Sequence, residues 1–301
     1  MAAAPADKTQ KTTRPYARVV RRLLHAGARG EIGHVLDRMH PADTVEVLRG
    51  LTPAERREFL AILTGHPAAS PVFAELPKPL LEEVLTQATD EAIAALVARQ
   101  QPDEAADLLA ICHPERSDAV LRLLDERTAA NLDRLMTYGR DTAGGMMTTR
   151  FVALHGATTV AEAIARVRAA PEAETVFYLY VVDDAGRLQG VVSLRQLVLA
   201  RPEQEVRGIM NPRAVSVRTD EPRMQVADLI TRYGILALPV VSESQVLLGI
   251  VTIDDAVDSL ADETTREIYQ MAGLATEDRV TTPASVSIRR RLPWMTINLG
   301  T

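Results

Sequence analysis

The chain has 301 residues, 47% of them hydrophobic and 25% charged, with a formal net charge of −6. That balance excludes wholesale disorder and low-complexity or collagen-like sequence, and the length suits about two or three domains of roughly 100–150 residues. A mildly acidic chain is a poor partner for nucleic-acid phosphates, and a single cysteine, Cys112, excludes an internal disulfide and a Cys-rich zinc site.

The N-terminal stretch has no apolar run of the signal-peptide kind, and residues 1–15 read as a disordered tail. Arg14, Arg18, Arg21 and Arg22 suit either a solvated first helix or contact with acidic lipid. From Tyr16 to about Arg140 the apolar residues recur at three- and four-residue spacing, as in Val45, Leu48 and Leu51, then Phe59, Leu60 and Leu63. Prolines punctuate this region at Pro41, Pro53, Pro67, Pro102 and Pro114, each expected in a first helical turn where its missing N–H costs nothing. Thr52 and Glu55 have the spacing of a capping box. The region therefore reads as short helices in a bundle or short superhelix, with no strands. Cys112 is expected in its core.

The pattern changes at Asp141-Thr142-Ala143-Gly144-Gly145-Met146-Met147, where the two glycines suggest a tight interdomain turn. Beyond it, Tyr178–Val182 and Leu188–Val192 read as a hairpin around an Asp183–Gly186 turn, followed by a helix from Leu194 to Ala200. This unit occurs twice. Met147–Leu154 matches Met210–Val217, Tyr180–Val182 matches Pro239–Val241, and Gly190–Arg195 matches Gly249–Asp254. Each copy is too small to bury much core alone, so the two should pack together.

An acidic segment follows: Asp254, Asp255, Asp258, Asp262, Glu263 and Glu267. On a helix, Asp254, Asp258 and Asp262 stack at i, i+4, where like charges cost roughly 0.2–0.5 kcal/mol per pair. Two readings stand: a solvated acidic face, or a site for a hard divalent cation, since Mg²⁺ prefers oxygen ligands and keeps several waters. Thr252 and Asp254 suit a ribose and phosphate site, with Tyr178 and Arg195 adding base and phosphate contacts, or a plain helix cap. The first copy has Ser193-Leu194-Arg195 at the matching place and lacks the Asp. Arg289-Arg290-Arg291 precedes Leu292-Pro293-Trp294 and the remaining residues to Thr301, which suits either membrane entry or a frayed amphipathic helix. No stretch reaches the ~20 apolar residues of a membrane span. Enzyme readings fail: the six histidines show no His-Glu-x-x-His spacing, and no Gly-Lys-Ser/Thr follows Gly144-Gly145.

The opening Ile209-Met210-Asn211-Pro212, the Leu238-Pro239-Val240-Val241 strand and the Gly249–Asp255 turn, in duplicate, resemble a tandem pair of CBS domains. With the helical region before it, the Asp141–Thr149 segment and the terminal Leu292-Pro293-Trp294, the chain resembles the cytosolic half of an MgtE-type magnesium transporter. The resemblance implies a multidomain chain. An all-α helical N-terminal domain (16–140) precedes an α/β CBS pair (141–204 and 205–265), then a connecting helix and the start of a truncated membrane segment (266–301). It implies a Mg²⁺-sensing regulatory region, not an enzyme, at the cytoplasmic face of the membrane. There Mg²⁺ bridges Asp103 and Asp107 of the helical domain to Asp255, Asp258, Glu263 and Glu267, closes the cytosolic domains and gates a pore. It also implies a homodimer through the CBS domains and a pore domain that this chain lacks, as an excised fragment or a natural product. ATP or AMP is the nucleotide it suggests. Pro222, Met224, Gly234 and Arg266 stand where family acids are expected, implying a weaker response to metal. The alternative is a stand-alone CBS-pair adaptor that senses adenine nucleotide and regulates another protein.

Overall fold

The computed structural model describes residues 9–171, 173–257 and 259–260. The chain divides into two compact units, residues 1–138 and 139–301.

Among its described residues the first unit is helical, with no strand. Its helices are α1 (Thr9–His25), α2 (Arg29–Leu36), α3 (Pro41–Gly50), α4 (Pro53–Thr64), α5 (Ala69–Ala74), α6 (Lys78–Gln87), α7 (Asp90–Val97), α8 (Pro102–Leu109), α9 (Pro114–Leu121) and α10 (Glu126–Met136). α1 starts inside the stretch that the sequence reading leaves as a tail. Prolines open α3, α4, α8 and α9 as expected, whereas Pro67 lies two residues ahead of α5. The Thr52 capping box is formed: Thr52 N donates to Glu55 Oε2 at 2.9 Å, and Glu55 N donates to Thr52 Oγ1 at 3.4 Å. Val20, Ile32, Leu48, Phe59, Leu63, Leu96 and Leu109 are buried, the one-sided apolar stripes of short packed helices.

Two arginines join neighbouring helices in the same way. Arg56 of α4 donates to the carbonyls of Leu48 and Leu51, at the end of α3, and to Glu83. Arg116 of α9 donates to the carbonyls of Leu85 and Ala88, at the end of α6, and to Asp90. Both bond carbonyls at a helix C-terminal end, where the regular ladder of backbone bonds runs out. Cys112 is half-buried rather than core, because its thiol sits at the end of α8 and donates to the Leu108 carbonyl at 3.7 Å.

The second unit contains α11 (Ala143–Met146), β1 (Ala153–His155), α12 (Val160–Arg168), β2 (Tyr178–Val182), β3 (Leu188–Ser193) and α13 (Leu194–Leu199). Then come β4 (Val217–Arg218), α14 (Arg223–Tyr233), β5 (Ala237–Val241) and β6 (Leu247–Thr252). The strands form two three-stranded sheets, β1-β2-β3 and β4-β5-β6, each with one parallel and one antiparallel pair. The registers repeat: Tyr178 faces Ser193 as Ala237 faces Thr252.

The repeats exchange their leading segments. Residues ahead of the first copy dock on the second: Ala143 N donates to Glu221 O, Gly144 N to Thr219 O, and Thr148 pairs with Ile250. Residues ahead of the second copy dock on the first: Val206 N donates to Thr158 O, Arg207 N to Gly156 O, and Asn211 pairs with Val191. The hairpin turns also meet, Leu188 N donating to Gln245 O and Leu247 N to Gly186 O, both at 2.9 Å. A shared core of Tyr180, Val182, Ala237, Val241, Leu247 and Ile250 lies between the sheets.

Gly144-Gly145 is not a tight turn, as the sequence reading expects. Both glycines lie in α11, and Gly145 is required because a side chain there would lie 2.9 Å from Arg140 Cα. Among the described residues of this unit the positive-φ glycines are Gly186, as expected for the hairpin turn, and Gly234.

Candidate functional site

Pro102 opens α8, and Glu104 accepts from Gln101 N at 3.4 Å, so the helix start is fixed locally. Asp103, half-buried, stands in the first turn, where the helix dipole favours a carboxylate. Asp107, exposed, is one turn later, so the two acids share a helix face. The inner face of α8 is held by buried Ala105, Leu108 and Leu109.

In the second unit, Asp255 is tied to the helical turn that follows β6. It accepts from Thr252 Oγ1 at 2.6 Å and from Thr252 N at 3.3 Å. Ser259 Oγ donates to the Asp255 carbonyl and accepts from Arg223 Nε, each at 2.6 Å. Ser193 and Gln196 repeat this arrangement in the first copy: Gln196 Oε1 accepts from Ser193 N at 2.8 Å and from its Oγ at 2.9 Å. Thr252 therefore caps a helix through Asp255, one residue beyond the Asp254 that the spacing suggests. Asp254 is exposed. Asp258 side-chain detail, Glu263 and Glu267 lie outside the described residues, as does the connecting helix. Among the described residues no group of three or more His, Cys, Asp or Glu is arranged to hold a metal ion.

Two clefts open on the second unit and share Tyr178. One, of about 520 Å³, is lined by Phe177, Tyr178, Leu194, Arg195, Val198 and Leu236 among others. The other, of about 330 Å³, is lined by Tyr178, Asn211, Arg213, Tyr233, Ile235 and Pro239 among others. Tyr178 and Arg195, chosen from sequence, therefore come together; Thr252 and Asp254 line neither cleft. Arg213 is a lining residue that sequence reasoning missed. Its signal was its place two residues after Asn211, whose Oδ1 accepts from Arg213 N at 3.0 Å. Both Arg195 and Arg213 are exposed.

Pro222, Met224 and Gly234 serve α14 where the resemblance expects acids. Pro222 precedes its first turn, and Gly234 ends it in the left-handed region at φ 60°. Arg266 lies outside the described residues.

The MgtE intracellular N domain model matches residues 39–141, and the CBS domain model matches 143–203 and 206–262. A crystal structure of the cytosolic domain of the Mg²⁺ channel MgtE in complex with ATP is 37% identical, with a TM-score of 0.75, over 80% of this chain and 99% of that one. The chain belongs to the MgtE family. The MgtE magnesium transporter of Thermus thermophilus is 37% identical over 261 residues, 85% of this chain and 58% of that protein. That of Bacillus subtilis is 31% identical over 278 residues, 92% and 61%. A structure of the soluble part of a magnesium transporter is 27% identical with a TM-score of 0.74. This MgtE-family chain thus spans about three fifths of its full-length relatives. Its fold is a helical N domain followed by a CBS pair, as the motifs imply. Among the described residues no helix is long and apolar enough to cross a membrane.

Proposed function

We propose that this chain is the Mg²⁺-sensing regulatory region of an MgtE-type transporter. The observation that carries the reading is its 37% identity to the cytosolic domain of the Mg²⁺ channel MgtE over 99% of that chain. Asp103 and Asp107 fit the ion chemically: they are hard oxygen donors on one face of α8, and Mg²⁺ needs only one or two carboxylates because it keeps its waters. Asp255, Asp258, Glu263 and Glu267 are the acids assigned to face them. When bound, Mg²⁺ supplies the positive charge that cancels repulsion between the two sets. Without that charge the carboxylates drive the helical domain from the CBS pair; neutralised, they allow the closed arrangement, and its population rises. Closure acts on a pore domain in a homodimer joined through the CBS units, at the cytoplasmic face of the membrane.

Thermal unfolding under a Mg²⁺ titration tests this. Ligand at 100 times its Kd stabilises the folded form by about 2.7 kcal/mol, so the midpoint should rise with Mg²⁺. Asp103→Asn with Asp107→Asn should remove the rise while leaving the metal-free midpoint near its starting value. A midpoint indifferent to Mg²⁺, or a rise kept by the double variant, refutes the site.

A second reading is favoured by the clefts around Tyr178. An aromatic ring with Arg195 on one side and Arg213 on the other suits a base and its phosphates. The 37%-identical MgtE cytosolic domain has been crystallised in complex with ATP. ATP or AMP should raise the midpoint of this chain, and Tyr178→Ala with Arg195→Gln should abolish that response. A response to nucleotide with none to Mg²⁺ favours the stand-alone adaptor.

A further inference from the structure

We propose that the outward face of α1 is a docking surface for anionic lipid headgroups. Between Asp7 and Glu31 the sequence carries no carboxylate side chain, while Lys8, Lys11 and five arginines fall within it. That run stands out in a chain of net charge −6. Helical geometry sorts these cations. Val20 and Leu24 are buried, and they fix α1 against α2, α3 and α4. Arg21 turns inward: its guanidinium donates to the Gly50 carbonyl at 2.8 Å and stands 3.2 Å from Glu55. Arg18 and Arg22 lie one turn apart on the opposite, exposed side. Neither takes part in an ion pair among the described residues.

The packed inner face fixes the helix backbone that carries Arg18 and Arg22 one turn apart, so little further backbone ordering is needed on binding. Val19, 45% exposed, flanks the pair and supplies the apolar edge of an interfacial helix. A membrane with acidic lipids is the complementary surface for such a pair, and the region of a transporter outside the bilayer lies within its reach. In that respect the inference rests on the transporter reading. A docked α1 would hold the helical domain at the membrane and restrain its movement relative to the CBS pair.

The test is flotation of the full chain, in EDTA, with phosphatidylcholine vesicles that contain or lack phosphatidylserine. The chain should bind only the phosphatidylserine vesicles, and binding should fall with salt. Each surface cation is worth about fivefold in affinity, so Arg18→Gln with Arg22→Gln should weaken binding about twenty- to thirtyfold. Arg166→Gln with Arg168→Gln removes the same charge from the exposed side of α12 and should leave binding unchanged. No preference for phosphatidylserine, equal loss in both double variants, or tighter binding to duplex RNA through Arg18 and Arg22 overturns the proposal. The Mg²⁺-dependent melting shift, measured on the same wild-type protein, separates the two readings: a shift without vesicle binding sinks only the docking surface.

Discussion

Met147 Sδ occupies the space that any side chain on Gly249 would need, 2.7 Å from an ideal Cβ there. Met210 Sδ stands over Gly190 in the same way, at 2.9 Å. These two contacts are where the leading segments of the CBS repeats cross over and lock. The glycine in each Gly-x-x-Ser/Thr strand end is thus a packing residue: it lets the other repeat's methionine and backbone reach the sheet.

Gly249→Ala should therefore destabilise the chain by about 1–3 kcal/mol, the usual cost of overpacking. Met147→Ala opens the space from the other side but leaves a cavity. The double substitution should cost less than the sum of the two, because the new methyl group fills part of the vacated volume. Urea unfolding of the four proteins measures the coupling; strict additivity would show that Met147 does not constrain Gly249.

Thr252 holds Asp255, one of the acids proposed to face the metal, at a helix start. Their 2.6 Å hydrogen bond satisfies a helix start in the second repeat, as Ser193 and Gln196 do in the first. Thr252→Val should cost about 0.5–2 kcal/mol, the range for a lost N-cap. Its Mg²⁺ response should stay intact, because the Asp255 carboxylate remains and the backbone N–H at position 252 still holds it. Loss of the metal response in this variant, at a temperature where circular dichroism shows it folded, would tie the cap to the metal site.

Glu55 makes the helical domain acid-sensitive. Hydrogen bonds from Thr52 and the nearby Arg21 guanidinium hold its carboxyl below the ordinary 4.5, although burial opposes them. A carboxyl depressed in the folded state contributes stability above its unfolded pKa and loses it as pH falls through the folded value. The thermal midpoint should therefore decline as pH drops below about 4.5. Glu55→Gln should be less stable at neutral pH and should flatten that decline. Equal acid limbs in the two proteins would assign the effect to other groups.

Much of this architecture was legible in the chain because its signals are local. The prolines at 41, 53, 102 and 114, the Thr52 box and the Asp183–Gly186 turn act over one helical or hairpin turn, and each stands where the spacing put it. Gly144-Gly145 misled because its constraint is a close backbone approach at Arg140, which no propensity encodes. The exchange of leading segments was hidden for a similar reason: it joins residues as far apart as Thr148 and Ile250. At the clefts, Tyr178 and Arg195 were readable as residue types beside a known turn. Arg213 was not, since only the fold carries it to Tyr178. The Thr252 cap runs to Asp255, at the three-residue spacing that Thr52 and Glu55 also show.

Tyr180 gives the sharpest test of the core between the repeats. The residue is fully buried, its ring meets Phe151 edge-on at 5.9 Å between centroids, and among the described residues its hydroxyl has no hydrogen-bond partner. Burial also pushes the phenol pKa well up, so the group stays neutral. A buried, unsatisfied polar group costs about 1–3 kcal/mol. Tyr180→Phe removes the hydroxyl and keeps the ring, its shape and the edge-on contact. The variant should be more stable than the parent by about 1 kcal/mol, read as a higher urea midpoint at unchanged slope. Tyr180→Leu should instead lose stability, because it deletes ring volume from the same site. A Phe variant that is less stable than the parent would mean that the hydroxyl finds a partner in solution, such as an ordered water between the sheets.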